Sequence, residues 1–509
     1  MSIVIENELP GVNVIVNGAT VARTPDRQPT STAFVVGYFP WGPVNVPTLV
    51  AGWARLIRMF GGLDPNSHAA NALYYLFKLS PGKLAYVCRV VGDGAALATL
   101  TLKDKSADAG VNTLRVDAKY PSSRVDIKVT VAAGTNANTF KLTIRSAFFG
   151  PSATELWDNL DLSADSLATV NQNSLLVNLT NLNSVTDAPN NIPRVLVETA
   201  LAGGDDDFAG LAAADFIGVD TAGARTGLHT FDDENLGIGQ VAIPGVTTDA
   251  AHAALIAHAA AYDRTAFIDV PPASDYNDVV TIRENYDSPD VGILWPWPEV
   301  KDFAGSGLDK NIPPSSIGLG ECALADTTYG VHRSPANLRA LPSVINVERY
   351  ANGQSQVDDK VHEFLNSKGV CVIRPMPQQG IRLYGDRVPS SDTRIRSIGA
   401  TRLVKLLKFS GKKGYAWAVF QTIDGQGRLF RDLRSTGEAF LREFWKAGAL
   451  FGRTEKEAFT VFVDETDTVS LDQGKVPTHW GVKISPRAEQ ILIFIDNVPL
   501  TQDLSVLQS

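Results

Sequence analysis

The sequence predicts a multi-domain α/β protein: an α/β core with an inserted β-rich domain, an α+β C-terminal domain, and extended arms at both ends. Three observations predict it. At 509 residues the chain exceeds what one ordinary core organises, and the length favours two to four domains. From Gly239 to Trp295, short apolar runs alternate with helix-length segments, the order of parallel strands joined by helical crossovers. Between about Ala96 and Asn191 the texture changes to short alternating runs separated by Gly, Asn, Asp and Ser, which marks a β-rich insertion.

Residues 1–22 read as an N-terminal extended arm. Ile3 and Ile5, then Val12, Val14 and Val16, recur at period two on either side of a Pro-Gly break, and period two means strand. The polar, proline-bearing segment Arg23–Pro29 follows as a linker, so this first strand need not pack on its own domain. Residues 23–95 open the α/β core, with a helix over about His68–Leu79 and a strand over Leu84–Val91. Residues 96–200 form the insertion, with alternating runs at Thr99–Leu102, Thr113–Val116, Val125–Val131 and Thr139–Ile144, and asparagine-rich loops with short strands over Asn171–Asn191.

Residues 201–355 are the central α/β domain: strand Gly239–Ile243, helix Asp249–Tyr262, strand Thr265–Val270, a helix over about Asn277–Tyr286, and strand Val291–Trp295. Trp295-Pro296-Trp297-Pro298 and a Pro-Pro-Ser turn lead to a small-residue segment suited to a helix against a partner. Residues 356–495 make the α+β C-terminal domain. It opens with a helix near Asp359–Asn366 and strand Val370–Ile373, and continues through Thr401–Phe409, Ala416–Gln421, an amphipathic helix near Ser435–Leu450, Phe459–Phe462 and Ile491–Ile495. Residues 496–509 lie past the last core strand as a C-terminal arm.

Composition narrows the function. Hydrophobic residues make up 44% and charged residues 20%, values of a globular protein, and no run approaches the roughly 20 apolar residues that span a bilayer. No membrane insertion is expected. The N-terminus has no basic start, sustained apolar core or small-residue cleavage site, so synthesis in a cytoplasm is expected. Cys88, Cys322 and Cys371 are odd in number and far apart, which reads as buried free thiols. A net charge of -9 argues against direct nucleic-acid binding, which needs a basic face to displace counterions.

Enzymes are common among α/β folds, so the chemistry needs a direct test. No serine lies in G-x-S-x-G, no G-x-x-x-x-G-K-[ST] loop occurs near Gly411-Lys412-Lys413, and there is no H-E-x-x-H. His252 and His258, six apart on an Ala-rich helix, cannot share a metal as an i,i+4 pair could, and a helix surface is expected for them. Asp205–Asp207 and Asp232–Glu234 lack the alternating ligands of a calcium loop and read as solvated junctions. Asp424-Gly425-Gln426-Gly427 reads as a turn. No catalytic, cofactor or metal residue is assigned, and an α/β hydrolase or ligand-binding protein is the remote alternative.

From Arg382 to Lys413 there are nine Lys or Arg residues against only Asp386 and Asp392. In an acidic protein this reads either as a solvated face or as an electrostatic contact with a neighbouring protein, and Arg394, Arg396, Arg402 and Lys405 are the candidates. In Glu438–Gly452, Phe440, Leu441, Phe444, Trp445 and Leu450 share one broad face, while Arg442, Glu443 and Lys446 lie elsewhere.

The order of many moderate motifs resembles the contractile tail sheath proteins of phages and phage-derived injection machines, and the resemblance runs across nearly the whole chain. Leu9-Pro10-Gly11-Val12, Thr32–Pro47, Phe60-Gly61-Gly62 and Lys83–Val91 are similar to its first blocks. Leu201–Asp207 resembles its Gly-Gly-Asp-Gly junction, with Asp206 or Asp207 where glycine is usual. Glu284–Val300, Ile312–Asn337, Leu365–Arg374 and Glu438–Gly452 resemble later blocks, while Gly385-Asp386-Arg387-Val388 departs from the usual Gly-Ala-Arg-Thr.

The resemblance implies a subtilisin-like central domain, the insertion on an outer wall and the C-terminal domain on the inner wall, which makes Arg442 and Lys446 on the polar side of Glu438–Gly452 further candidates, beside Arg394, Arg396, Arg402 and Lys405, for contact with a tube or neighbour. It also implies a homo-oligomer of hexameric rings stacked around an inner tail tube protein, with baseplate and tail terminator or cap proteins as further partners and no cofactor. Both arms would be lent to neighbouring copies as strands, through Ile3, Ile5, Val12, Val14 and Val16 at one end and Ile491, Ile493, Ile495, Leu500 and Leu504 at the other, with Arg23–Pro29 and Asp496–Pro499 as joints. Contraction would release energy held in packing, in a virion tail or in a bacterial phage-like injection system or tailocin.

Overall fold

The computed structural model describes residues 29–106, 110–150, 153–350 and 352–489. Both arm assignments, including Ile3 to Val16 and Ile491 to Leu504, lie outside the described residues. The chain divides between Ser410 and Gly411 into a larger and a smaller compact unit.

The larger unit is built on an eight-stranded sheet. In spatial order its strands are Gly380–Leu383, Val370–Met376, Val291–Trp295, Thr265–Asp269, Gln240–Ala242, Ala33–Gly37, Ala85–Arg89 and Thr48–Val50. The six inner strands are mutually parallel and the two edge strands antiparallel. Ala33–Gly37, Thr265–Asp269 and Val291–Trp295 are buried at every position, and the first and last of them read as unbroken apolar runs for that reason. Alternate residues serve two cores. Val35, Leu294 and Cys371 pack with Leu73 and Ile317 on one face, while Phe34, Val36 and Ile293 pack with Leu255, Val279 and Leu365 on the other. The sheet continues past residue 355: Val370–Met376 pairs with Val291–Trp295 and carries the sheet to Leu383.

The elements from Gln240 to Trp295 fall within two residues of their expected bounds. The helix at His68 runs to Tyr74 and then widens into a π-turn over Tyr75–Leu79, opposite which Arg339 donates to the Leu79 carbonyl and the Ser80 hydroxyl. The small-residue segment is helix Ser315–Thr328, and what it packs on is the chain's own sheet. A Cβ at Gly318 would lie 2.7 Å from the Phe267 ring, and one at Gly320 2.5 Å from Tyr75, so these positions admit only glycine. Trp295 and Trp297 donate their indole N–H to the carbonyls of Ser274 and Val270, fixing the Trp-Pro-Trp-Pro turn over the sheet.

The insertion holds a three-stranded sheet (Thr99–Lys103, Asn112–Ala118, Val177–Asn181) and a four-stranded one (Leu196–Ala200, Lys128–Ala133, Phe140–Arg145, Thr154–Leu160) around one core. Unexpected helix Ala164–Asn173 starts at an N-cap serine, Ser163. Asn171, read as a loop residue, ends that helix with its amide paired to both N–H and C=O of Leu179. Arg89, fully buried, joins insertion to core by donating to the carbonyls of Phe39, Gly42 and Pro121; burial lowers its pKa to about 10, so it stays charged.

In the smaller unit, helix Arg428–Lys446 packs on an antiparallel ribbon of Phe459–Val463 and Thr478–Val482. The helix begins seven residues before its expected start. Gly427 takes the left-handed conformation its N-terminus needs (φ 68), and the Asp424 carboxylate accepts from the Arg428 N–H. It stops at Lys446, so Leu450 of the expected apolar face is buried beyond the helix, bridging Ile484.

Candidate functional site

In an open parallel sheet a ligand binds at the carboxyl ends of the strands, where chain order reverses. Here that point lies between Ala33–Gly37 and Gln240–Ala242, and side chains fill it. Gly245, just past the second strand, abuts the His68 ring, which in turn meets Trp297 edge-on at 5.7 Å. Asp269, fully buried, accepts from the N–H of Gly245 (3.0 Å) and from both the N–H and hydroxyl of Ser315 (2.7 Å each). Its carboxyl ties helix Ser315–Thr328 to the sheet, and burial pushes its pKa up to about 6. Ser315 is itself fully buried, its hydroxyl held by that carboxylate at the start of the helix.

Burial lowers the His68 imidazole to about 4. A base with a depressed folded pKa contributes stability in full above its unfolded value near 6.5 and loses it as pH falls to the folded value, here about 3 kcal/mol. Asp269 acts in the opposite sense, gaining a proton more readily in the fold. His68→Phe isolates the first effect: relative to the parent, the variant should gain about 3 kcal/mol between pH 7 and pH 4 in urea titrations. An unchanged difference would contradict the burial of a neutral ring.

The expectation of a helix surface for His252 and His258 is corrected, since both are buried. His252 Nε2 bonds the Asp269 carbonyl, and His258 Nδ1 donates to Asp232 while its Nε2 accepts from Arg264. They face separate partners and share no ligand position. The acidic junctions are likewise less solvated than expected. Asp206 is buried, accepting from Tyr38 and Ser123, and Asp232 receives both His229 and His258 at 2.7 Å. Asp220, His229 and Asp232 approach within 4.8 Å of one another, but Arg225 already donates to Asp220 and to the Asp232 carbonyl, supplying the counter-charge.

The basic candidates separate into two kinds. Arg402 is buried and bonds Asp326 at 2.5 Å, and Lys405 is buried against Asp290 and the Arg264 carbonyl. Neither offers its charge at the surface, which corrects their assignment as contacts. Their helix, Ile398–Gly414, is covered at nearly every position up to Ser410, and a charge in such a helix survives only when paired. Arg394 and Arg396 are exposed, Arg394 beside Asp392. In the smaller unit, Arg442 pairs with Glu455 and Lys446 is exposed. Four of the six candidates thus lie at or near the surface of their own unit, Arg394 and Arg396 in the larger and Arg442 and Lys446 in the smaller.

The least complete element is the Phe459–Val463/Thr478–Val482 ribbon. Phe459, Val461 and Val463 turn inward beside Phe440 and Leu433 while Phe462 stays half exposed, stacked on His479. Tyr415 links helix and ribbon, donating to the Leu433 carbonyl and accepting from the Trp480 indole. Gly437 leaves room for that hydroxyl, since a Cβ there would sit 2.5 Å from it. Among the described residues the ribbon has two strands only, so each has an outer edge without a strand partner. No spacing rule in the sequence marks such an edge.

No family model matches the sequence. A putative prophage major tail sheath protein of Pseudomonas aeruginosa (strain UCBPP-PA14) is 27% identical over 289 residues, covering 55% of this chain and 70% of that protein. Among solved structures, the sheath tail protein of Listeria innocua superposes with a TM-score of 0.60 at 14% identity, over 91% of this chain and 97% of that one. The PVC sheath complex of an extracellular contractile injection system, in its contracted state, superposes with a TM-score of 0.53 at 14% identity, over 99% and 100%. The helical sheath of the anti-feeding prophage, also contracted, gives 0.54 at 18% identity over 97% and 100%. The mixed α/β, multi-sheet fold of this chain is the fold of sheath proteins.

Proposed function

We propose that this chain, which carries the contractile-sheath fold along almost its whole length, is the structural subunit of a contractile sheath. Copies stack as hexameric rings around an inner tube and reorient on triggering to drive the tube through a target envelope. The observation that carries the reading is the two-stranded ribbon with unpartnered edges. Two strands alone are marginal in water, and a free edge is a template for another chain. The apolar alternation of Ile3 to Val16 and of Ile491 to Leu504 fits strands added there by neighbouring copies. Copies linked in this way can turn as bodies without separating.

The central sheet is then the subtilisin-like sheath core, and the role is structural, without a catalytic step: the crevice that would hold a substrate is filled by His68, Trp297 and Asp269. The extended assembly is a kinetic trap whose release needs no nucleotide, because a better-packed arrangement becomes accessible once neighbours reorient. A tube protein lines the bore, and baseplate and terminator proteins close the ends. Synthesis takes place in a cytoplasm and the product is a tail or a phage-like particle. Capsid and terminase genes beside its own would assign it to a virion, and toxin cargo with an AAA ATPase to an injection system.

Negative-stain microscopy of the expressed protein tests the reading. Filaments or cogwheel-sectioned cylinders are expected, and a monodisperse monomer at high concentration would contradict it. Charge reversal at Arg394 and Arg396, both exposed, should change tube association or particle length while leaving the folded chain within about 0.5 kcal/mol of the parent. Unaltered particles would assign these residues to a solvated face.

A further inference from the structure

Arg264 stands immediately before strand Thr265–Asp269 and is fully buried. Its guanidinium holds one short stretch of chain at three points, donating from Nη1 to the Phe231 carbonyl (2.6 Å), from Nη2 to the Asp233 carbonyl (3.0 Å) and from Nε to the Gly237 carbonyl (3.1 Å). The same group lies 3.9 Å from the centre of the Phe34 ring. Within the stretch, the N–H groups of Asp232, Asp233, Leu236 and Gly237 bond the carbonyls of His229, Phe231, Asp233 and Glu234. Leu228 and Phe231 at its start are buried in one core with Phe34 and Val36. Arg264 therefore staples a turn over the central sheet.

A further bond of Nη1 goes to His258 Nε2, 2.8 Å away. A guanidinium can only donate, so Nε2 is the bare nitrogen of the ring and the proton sits on Nδ1, which donates to Asp232 Oδ1 at 2.7 Å. His258, 5% exposed, is fixed from both sides as a neutral imidazole. A second proton can enter only at Nε2, where it sets N–H against N–H and cation against cation. Burial together with Arg264 and His229 outweighs the pull of Asp232 and lowers the His258 pKa.

Other titratable groups face this pair from the elements around it. His229 donates to or accepts from the second Asp232 oxygen at 2.7 Å, Tyr262 stacks at a tilt on the His258 ring, and Tyr86 and Asp233 lie within electrostatic reach of Arg264. Arg225 bonds Asp220 and the Asp232 carbonyl, and Lys405, paired with Asp290, donates to the Arg264 carbonyl. Burial works against the Asp232 charge, but the hydrogen bonds and charges of His258 and His229 outweigh it, so its pKa lies below the ordinary value and it stays ionised in mild acid.

We propose that His258 is an acid-operated latch: a proton taken up on Nε2 expels the Arg264 guanidinium and frees the Phe231–Gly237 turn. The closed turn excludes the proton and the open turn accepts it at the ordinary imidazole value of about 6.5. The latch is thus fully closed above that value and loosens as pH falls below it. It needs no assembled particle, so it stands or falls apart from the sheath reading.

Hydrogen exchange of the full chain, followed by mass spectrometry from about pH 7.5 to about pH 5.5 and corrected for the pH dependence of intrinsic exchange, tests the latch. Protection of the Asp232, Asp233, Leu236 and Gly237 amides should fall about tenfold over that range, while strand Val291–Trp295 keeps its own. His258→Gln, which takes up no proton, should show level protection across the range, and His229→Gln the same fall as the parent. Level protection in the parent, or a tenfold fall that persists in His258→Gln, overturns the latch. Should His258→Gln fail to fold, the other two chains decide, and a fall that vanishes in His229→Gln overturns it as well.

Discussion

Deleting residues 2–16, or residues 496–509, should leave a chain that folds and melts like the parent but forms no sheath. The smaller unit presents a ribbon of two strands, and each outer edge carries several backbone N–H and C=O groups without a strand partner among the described residues. An added strand contributes about 0.5–1.5 kcal/mol per hydrogen bond, with further gain where Ile and Val side chains cover Phe462 and its neighbours. One strand is a modest bond. Two exchanged arms per copy would make every subunit multivalent, and multivalent linkage raises net affinity by about 10²–10⁴ without any new kind of contact. Removing either arm should therefore lower the assembled fraction about a hundredfold or more, read by sedimentation and microscopy beside an unchanged melting curve. Sheaths of normal length from either truncation would remove the arms from the account.

Arg402→Met should cost about 3–5 kcal/mol in chemical denaturation, the largest loss expected from any single basic residue between Arg382 and Lys413. Arg402 and Asp326 are both buried at 2.5 Å, and Thr30 donates a second hydrogen bond to the same carboxylate oxygen. Burial works against the Arg402 charge, but Asp326 together with Cys322 and Asp386 outweighs it, so its pKa lies above the ordinary value. Without the guanidinium, Asp326 is left charged in an apolar interior, beside Asp386 in the same cluster. The double variant Arg402→Met with Asp326→Leu should recover most of the loss, because an apolar pair of similar volume avoids desolvation altogether. A cost below about 1 kcal/mol for the single variant would mean that the site is wetter than its packing indicates.

These two results bear on what the sequence could reveal. The sheet strands were legible because strands covered on both faces leave no polar alternation, so Val291–Trp295 stands out as an apolar run and Thr265–Val270 as a short run broken only by Asp269. The insertion was legible from period two, although its helix at Ala164–Asn173 was not, hidden by the polar residues that cap and decorate it. The basic run misled because counting charges ignores which side of a helix carries them. Arg402 and Lys405 sit among Ile398, Leu403, Leu406 and Phe409, and a helix apolar nearly all round was the available sign that its charges are buried and paired. His252 and His258 misled for a similar reason: alanine on every side removes the polar contrast that would have shown the helix covered. The open ribbon was invisible, since an unpaired edge depends on which strands come together and not on any local pattern.

Strand exchange between copies is tested most directly by a density map of the assembled particle, traced from Ser2 to Ser509. The expected map shows every Phe459–Val463/Thr478–Val482 ribbon widened by strands from other copies, one supplied by an N-terminal segment and one by a C-terminal segment. A map in which the same chain supplies both flanking strands, or in which both edges face solvent, would contradict it.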